Sequence, residues 1–162
     1  MYDLSSLDAI RNYMLSKKQT IAVAESVTSG HLQAALSLAE KATLFFQGGL
    51  TAYNLGQKSR LLKVDPIHAL SCNCVSEKVA TEMARNVCQV FSSDWGIGVT
   101  GYAAPDEKNQ RDYLYAICTI VFEDKVLQTK TIKATQKEIF ENQIYYTDQI
   151  LRYLSELVNE SI

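Results

Sequence analysis

The sequence predicts an α/β fold, a mixed β-sheet flanked by helices. Two observations carry this. Segments with the 3.6-residue spacing of amphipathic helices alternate with short β-rich runs, in the order α-β-α-β-α-α-β-β-β-α. The last two β-runs are separated by only three residues and read as a hairpin, so the sheet is not fully parallel. With 162 residues and 47% hydrophobic content, the chain is expected to form one domain, spanning 1–162, with a core of its own.

In chain order, Asp3 or Ser5 caps a first helix with Leu4, Leu7, Ile10 and Met14 on one face, ended by Ser16-Lys17-Lys18-Gln19. Thr20 to Ala24 reads as a short buried strand. Glu25-Ser26-Val27-Thr28-Ser29-Gly30 follows, and a helical pattern begins at His31 with Leu32, Ala35, Leu36 and Ala39 inward. Leu50 to Tyr53 reads as a second strand, with Gly48-Gly49 marking a bend or a close backbone approach. Asn54 caps a helix over 55–62, and Asp65-Pro66 starts a turn. Ser76 caps a strong helix with Val79, Met83, Val87 and Val90 as its apolar stripe. Trp95–Gly101 is a strand and 102–112 a polar loop. Tyr113–Phe122 and Val126–Ile132 form the hairpin. A long helix from about Gln136 to Val158 places Ile139, Gln143, Tyr146, Ile150, Leu154 and Leu157 on one side. Its tyrosines, Tyr145, Tyr146 and Tyr153, serve either a homodimer contact or the core.

Composition excludes several functions. Sixteen basic and eighteen acidic residues give a net charge of −2 with no long run of one sign, which favours neither a nucleic acid nor an anionic membrane as partner. No apolar run approaches the ~20 residues of a membrane-spanning helix, and the first residues lack a signal-peptide layout, so the expected compartment is the cytoplasm. Cys72, Cys74, Cys88 and Cys118 are too sparse for a disulfide scaffold and read as free thiols. His68, Cys72 and Cys74 lack a second ligand pair at finger-like spacing, so no metal is expected.

Glycine-rich phosphate loops are absent. The two histidines, His31 and His68, have no neighbours that mark a catalytic triad. The chemistry-bearing stretch is therefore the strand that ends in Ser26-Val27-Thr28-Ser29-Gly30. Hydroxyls beside the unpaired N–H groups of a helix start suit a nucleophile, an anion site or a simple cap. A serine without histidine needs another base, and a neutral lysine supplies one. Lys58 is the candidate, one turn into the helix capped by Asn54, where the helix dipole and partial burial both disfavour the ammonium. Taken alone, Lys58 reads better as a solvated surface lysine.

Four blocks in order resemble one family. They are Ala24-Glu25-Ser26-Val27-Thr28-Ser29-Gly30, then Phe46–Asn54 with Lys58 and Leu61–Val64, then Val75–Ala84, then Gly98-Val99-Thr100-Gly101-Tyr102-Ala103-Ala104-Pro105-Asp106. Together they are similar to the CinA C-terminal domain family. The resemblance implies a three-layer α/β/α single domain and, for active members, nicotinamide-nucleotide amidase activity without metal or cofactor, on a small-molecule nucleotide. It implies Ser26 as nucleophile, Lys58 as base, and Tyr53 assisting proton transfer or orienting the lysine. Backbone donors for the oxyanion are expected from Thr28, Ser29 and Gly30, or from Thr100 and Gly101. Glu25 is either a partner of the lysine or a carboxylate capping local N–H groups.

The chain departs from the family pattern at Val27, at Ser29, across 103–115 and across 134–141, where arginines of many members are missing. Lys133, Lys137 and Arg111 remain as substitutes for holding a phosphate. These departures leave a divergent, non-catalytic domain that binds a nucleotide or a protein partner as the alternative.

Overall fold

The computed structural model describes residues 1–105, 113–135 and 138–160. Its elements are α1 (Leu4–Lys17), β1 (Ile21–Glu25), α2 (His31–Ser37), a 3-10 turn (Ala42–Leu44), β2 (Phe46–Thr51), α3 (Leu55–Leu62), α4 (Pro66–Ser71), α5 (Glu77–Phe91), β3 (Trp95–Gly101), β4 (Tyr115–Phe122), β5 (Lys125–Lys133) and α6 (Ile139–Glu160). The five strands lie in the order β2-β1-β3-β4-β5. β1 runs parallel to both β2 and β3, while β3–β4 and β4–β5 are antiparallel. The mixed sheet follows from the connections: a helix intervenes wherever neighbours are parallel, and a two-residue turn at Glu123-Asp124, both with positive φ, joins the final pair.

Strand alternation sorts side chains between the two faces. Ile21 and Val23 of β1 pack with Trp95, Ile97 and Val99 of β3 into the larger core, closed by α1, α2 and α6. Ala22 and Ala24 point the other way, into a second core with Leu62, Val79, Met83 and Val87 from α3 and α5. The result is a three-layer α/β/α sandwich. On the α5 side the sheet surface is nearly flat, because Gly96 and Gly98 carry no side chains. A Cβ on Gly98 would sit 2.1 Å from the Ala80 carbonyl oxygen, so the glycine lets α5 lie directly on the sheet.

Several elements differ from their sequence reading. Asp3, not Ser5, caps α1, accepting a bond from Ser6 N–H, and Leu4 turns outward while Leu7, Ile10 and Met14 are buried. β2 begins four residues earlier than expected, at Phe46, and includes the glycine pair. Gln47 is skipped in the pairing with β1, and Gly48 absorbs the irregularity with φ +122. Asp65-Pro66 opens the helix α4, not only a turn, with Asp65 accepting bonds from Ile67 and His68 N–H. Ala39 lies beyond the end of α2. Val90 is exposed near the end of α5; Ala80 and Ala84 complete its buried face instead.

α6 begins at Ile139; Gln136 and Lys137 fall outside the described residues, as do 106–112 of the expected polar loop. Its buried stripe is Asn142, Tyr146, Thr147, Ile150, Leu151, Leu154 and Val158, so Asn142 replaces Gln143 and Ile139 is exposed. Tyr146 is fully buried, and Tyr145 and Tyr153 pack against the core. No helix among the described residues is long and apolar enough to cross a membrane.

Candidate active site

The chain leaves β1 toward the α2 face and leaves β2 toward the α3 face. Neighbouring strands whose connections diverge in this way open a crevice at their carboxyl ends. A pocket of about 460 Å3 occupies it, lined by Ser26 and Val27 after β1, Tyr53, Asn54, Leu55 and Lys58 after β2, Ala69 and Leu70 of α4, Asn73 to Val75 beyond it, Thr100 to Ala104 at and beyond the end of β3, and Ile139 of α6.

Ser26 is the first residue past β1. Its N–H donates to the Val99 carbonyl at 3.1 Å, which continues the strand pairing by one residue and fixes the backbone at the pocket floor. Lys58 approaches from α3, whose start is set by Asn54 accepting from Gln57 N–H. Lys58 is only 2% exposed. Its Nζ lies 2.8 Å from Ser26 Oγ and donates to the Ala52 carbonyl at 2.9 Å. The chain thus brings together two side chains 32 positions apart, within one hydrogen bond. Burial pushes the Lys58 pKa below the ordinary lysine value, with a smaller opposing influence from Cys74. Cys74 in turn has its thiol pushed up, chiefly by burial.

Tyr53 stands at the mouth, 68% exposed, and hydrogen-bonds to neither Ser26 nor Lys58. The carbonyl of Ala52 orients the lysine. Glu25 points away from the pocket, as strand alternation requires of the residue beside Ser26, and is completely buried under α2. Its Oε2 accepts from Thr28 Oγ1 (2.6 Å), Gly30 N–H (3.1 Å) and Leu32 N–H (3.0 Å), and its Oε1 from Gln33 N–H (2.8 Å). Of the two roles expected for Glu25, the structure shows the capping one. Gly30, at the N-cap of α2, has no side chain to offer, so a carboxylate from the strand caps the helix instead.

This clamp uses most of the donors expected near 28–30. Gly30 N–H is taken by Glu25, Ser29 N–H donates to Ser26 O at 3.0 Å, and the Thr28 hydroxyl is turned inward. Val27 and Thr28 N–H have no partner among the described residues. Thr100 Oγ1 donates to the Cys74 carbonyl at 2.7 Å, tying the β3 side of the pocket to the segment after α4. Gly101 is different. Along β3, Trp95 N–H donates toward β1 (Thr20 O) and Tyr102 N–H toward β4 (Tyr115 O). The two-residue period therefore aims Gly101 N–H at the β1 side, beyond the last β1 pairing at Glu25–Val99. It meets no acceptor among the described residues and opens beside Ser26.

Two residues that sequence reasoning missed hold the far wall. Asn142 Nδ2 donates to the Ala103 carbonyl (3.0 Å), and Tyr146 OH to the Tyr102 carbonyl (2.8 Å). The available signal was Asn142 and Tyr146 at i, i+4 spacing, one polar residue inside an apolar stripe. Of the candidate phosphate ligands, Arg111 and Lys137 lie outside the described residues, and Lys133 Nζ sits 5.6 Å from the centre of the Tyr113 ring. His68 Nε2 lies 2.8 Å from Ser76 Oγ, and no group of three or more His, Cys, Asp or Glu suited to a metal occurs among the described residues.

These features define an α/β/α domain with a buried serine–lysine contact in a crevice at the carboxyl edge of its sheet. A profile of the CinA C-terminal domain matches residues 4–158, and the chain belongs to that family. It is 34% identical over 150 residues to a CinA-like protein of Picosynechococcus sp., covering 90% of this chain and 33% of that protein. A CinA-like protein of Synechocystis sp. is 44% identical over 87 residues, covering 54% and 21%. The chain thus spans a third or less of the length of these relatives. Among solved structures, a competence-damaged protein (CinA) superfamily protein of Klebsiella pneumoniae superposes with a TM-score of 0.88 at 20% identity, covering 96% of this chain and 97% of that one. One from Escherichia coli gives 0.83 at 23% identity, covering 94% and 88%. At these identities the structural likeness establishes the fold.

Proposed function

We propose that this protein is a serine–lysine amidohydrolase that cleaves the carboxamide of nicotinamide mononucleotide to the acid and ammonia. The observation that carries this reading is the 2.8 Å contact between Ser26 Oγ and the buried Nζ of Lys58. Desolvation favours the neutral amine, whose N–H groups can donate to Ala52 O while its lone pair accepts the Ser26 proton.

The chemistry then follows. As the Ser26 proton passes to Nζ, Oγ attacks the carboxamide carbon and the carbonyl oxygen becomes an oxyanion. Gly101 N–H, with Val27 or Thr28 N–H, stands ready to hold that charge, each such donor being worth ~3 kcal/mol in the transition state. Lys58 returns the proton to the departing nitrogen, ammonia leaves, and Ser26 carries the acyl group as an ester. Water then loses a proton to Lys58 and attacks the ester. Ser26 recovers its proton and the acid is released. Tyr53, at the mouth, is placed to contact the substrate or to shuttle protons once the pocket is filled.

The test incubates purified protein with nicotinamide mononucleotide and measures ammonia, beside Ser26→Ala and Lys58→Ala. Release by the wild type that is lost in both variants supports the hydrolase. A wild type that releases none from a broad carboxamide panel overturns it and leaves the non-catalytic binding domain as the better reading.

A further inference from the structure

Packing does not account for two buried side chains of α6. Asn142 and Tyr146 are fully buried in its inward stripe. Leucine and phenylalanine would fill similar volumes without taking an amide and a hydroxyl out of water. Both polar groups are directed to consecutive carbonyls of one segment: Asn142 Nδ2 donates to Ala103 O at 3.0 Å and Tyr146 OH to Tyr102 O at 2.8 Å. Spaced i, i+4, they lie on successive turns of one helix face and grip that segment at two adjacent residues.

The gripped segment begins next to Gly101, whose N–H opens beside Ser26. β3 outlasts β1 by two residues, so Gly101 has β4 on one edge and is past the last β1 pairing on the other. Its pairing with Ala116, and the bond from Tyr102 N–H to Tyr115 O at 2.8 Å, fix the β4 edge. A strand end held along one edge can still roll about it, and such a roll would swing Gly101 N–H away from Ser26. The bonds from α6 act on the two carbonyls that follow, away from the β4 edge, and stop the roll.

The direction of that N–H matters because attack on a carboxamide places charge on its oxygen in the transition state. A hydrogen bond weakens steeply as it bends, and a misplacement of ~1 Å costs about 10²-fold in rate. The loss falls on kcat, since the ground-state carboxamide draws little from a donor aimed at the oxyanion.

We propose that Asn142 and Tyr146 are positioning residues for hydrolysis: through the carbonyls of Ala103 and Tyr102 they hold the Gly101 N–H on the developing oxyanion. This rests on the amidohydrolase reading, which supplies the oxyanion.

Steady-state ammonia release from nicotinamide mononucleotide tests it in Tyr146→Phe and Asn142→Leu, which each delete the donor and keep the bulk of the side chain. Ile150→Val is the comparison: it loosens the packing of α6 and leaves both bonds in place. Each wall variant is expected to lower kcat about tenfold, a part of the roughly 10²–10³ of a deleted oxyanion donor, with KM within about twofold of wild type. Ile150→Val is expected to lower Tm and leave kcat unchanged. In isotope-labelled protein, the Gly101 amide signal of a proton–nitrogen correlation spectrum should move in both wall variants and stay in place in Ile150→Val. Wall variants that keep kcat, that lose rate through KM alone, or that lose no more than Ile150→Val at equal loss of Tm overturn the proposal, as does a Gly101 signal that does not move. A wild type that releases no ammonia refutes the hydrolase; a Gly101 signal moved only in the wall variants then still shows α6 setting that N–H, and an unmoved one removes the positioning as well.

Discussion

Glu25 is the residue whose replacement says most about how Ser26 is held. Glu25→Gln keeps size and shape but turns one carboxylate oxygen into an NH2 donor, inside a shell made only of donors. Three of these donors face Oε2 and one faces Oε1. In the better orientation the amide oxygen meets the Thr28, Gly30 and Leu32 donors, and the NH2 faces Gln33 N–H. One buried donor is then orphaned, at about 1–3 kcal/mol, and three bonds lose the reinforcement of a full charge, at roughly 1 kcal/mol each. Local relaxation returns part of this, so a net loss of about 3–5 kcal/mol is expected. For a domain of this size that lowers Tm by roughly 8–16 °C. Thermal unfolding followed by circular dichroism reads it directly, and ammonia release should fall with it, because the same residues carry the chain away from Ser26. A Tm within about 2 °C of wild type would refute the idea that the carboxylate caps α2.

Lys58 and Gly98 give the remaining expectations. The pKa of Lys58 is lowered by burial, so the folded state binds fewer protons than the unfolded state between the lowered value and the ordinary lysine value. Stability should rise with pH through that window, and the rate should rise as Lys58 loses its proton; Lys58→Arg, which cannot lose one, should abolish both the rate and the ascending limb of the pH–rate profile. Gly98→Ala should destabilise the domain by at least about 3 kcal/mol, read by chemical denaturation, since its Cβ would lie 2.1 Å from Ala80 O and 2.6 Å from Ala84 N, both backbone atoms; near-wild-type stability would mean that α5 does not rest on the sheet as described.

The sequence showed most clearly those features that depend on local chemistry. Caps at Asn54 and Ser76 follow from residue type and spacing and appear where expected, as do Val79, Met83 and Val87 in the stripe of α5 and Tyr146, Ile150 and Leu154 in that of α6. Where the reading slipped, a tertiary contact had outweighed the local pattern. Gly48 and Gly49 look like a break, yet they belong to β2, because Gly49 must pass within reach of Val23 and Gly48 takes up a skipped residue. Leu4 and Val90 fit helical stripes but lie near the helix ends, beyond the layer they would pack against.

At the site, Ser26 and Lys58 were legible through the resemblance, since nothing local pairs residues 32 positions apart. The role of Glu25 depends on strand alternation meeting the bare N-terminus of α2. That of Gly101 depends on β3 outlasting β1 by two residues. Such relations exist only once strands have been paired.

The bonds from Asn142 and Tyr146 to the carbonyls of Ala103 and Tyr102 have a consequence beyond positioning. They cross from the helical layer on one face of the sheet to the wall of a pocket whose buried lysine, Lys58, comes from the layer on the other face. A ligand whose affinity depends on that wall would therefore be linked to the docking of the last helix. It would tighten α6 onto the sheet, and anything that loosens α6 would weaken it by the same free energy. For such a ligand the C-terminal helix would be a remote part of the binding equilibrium.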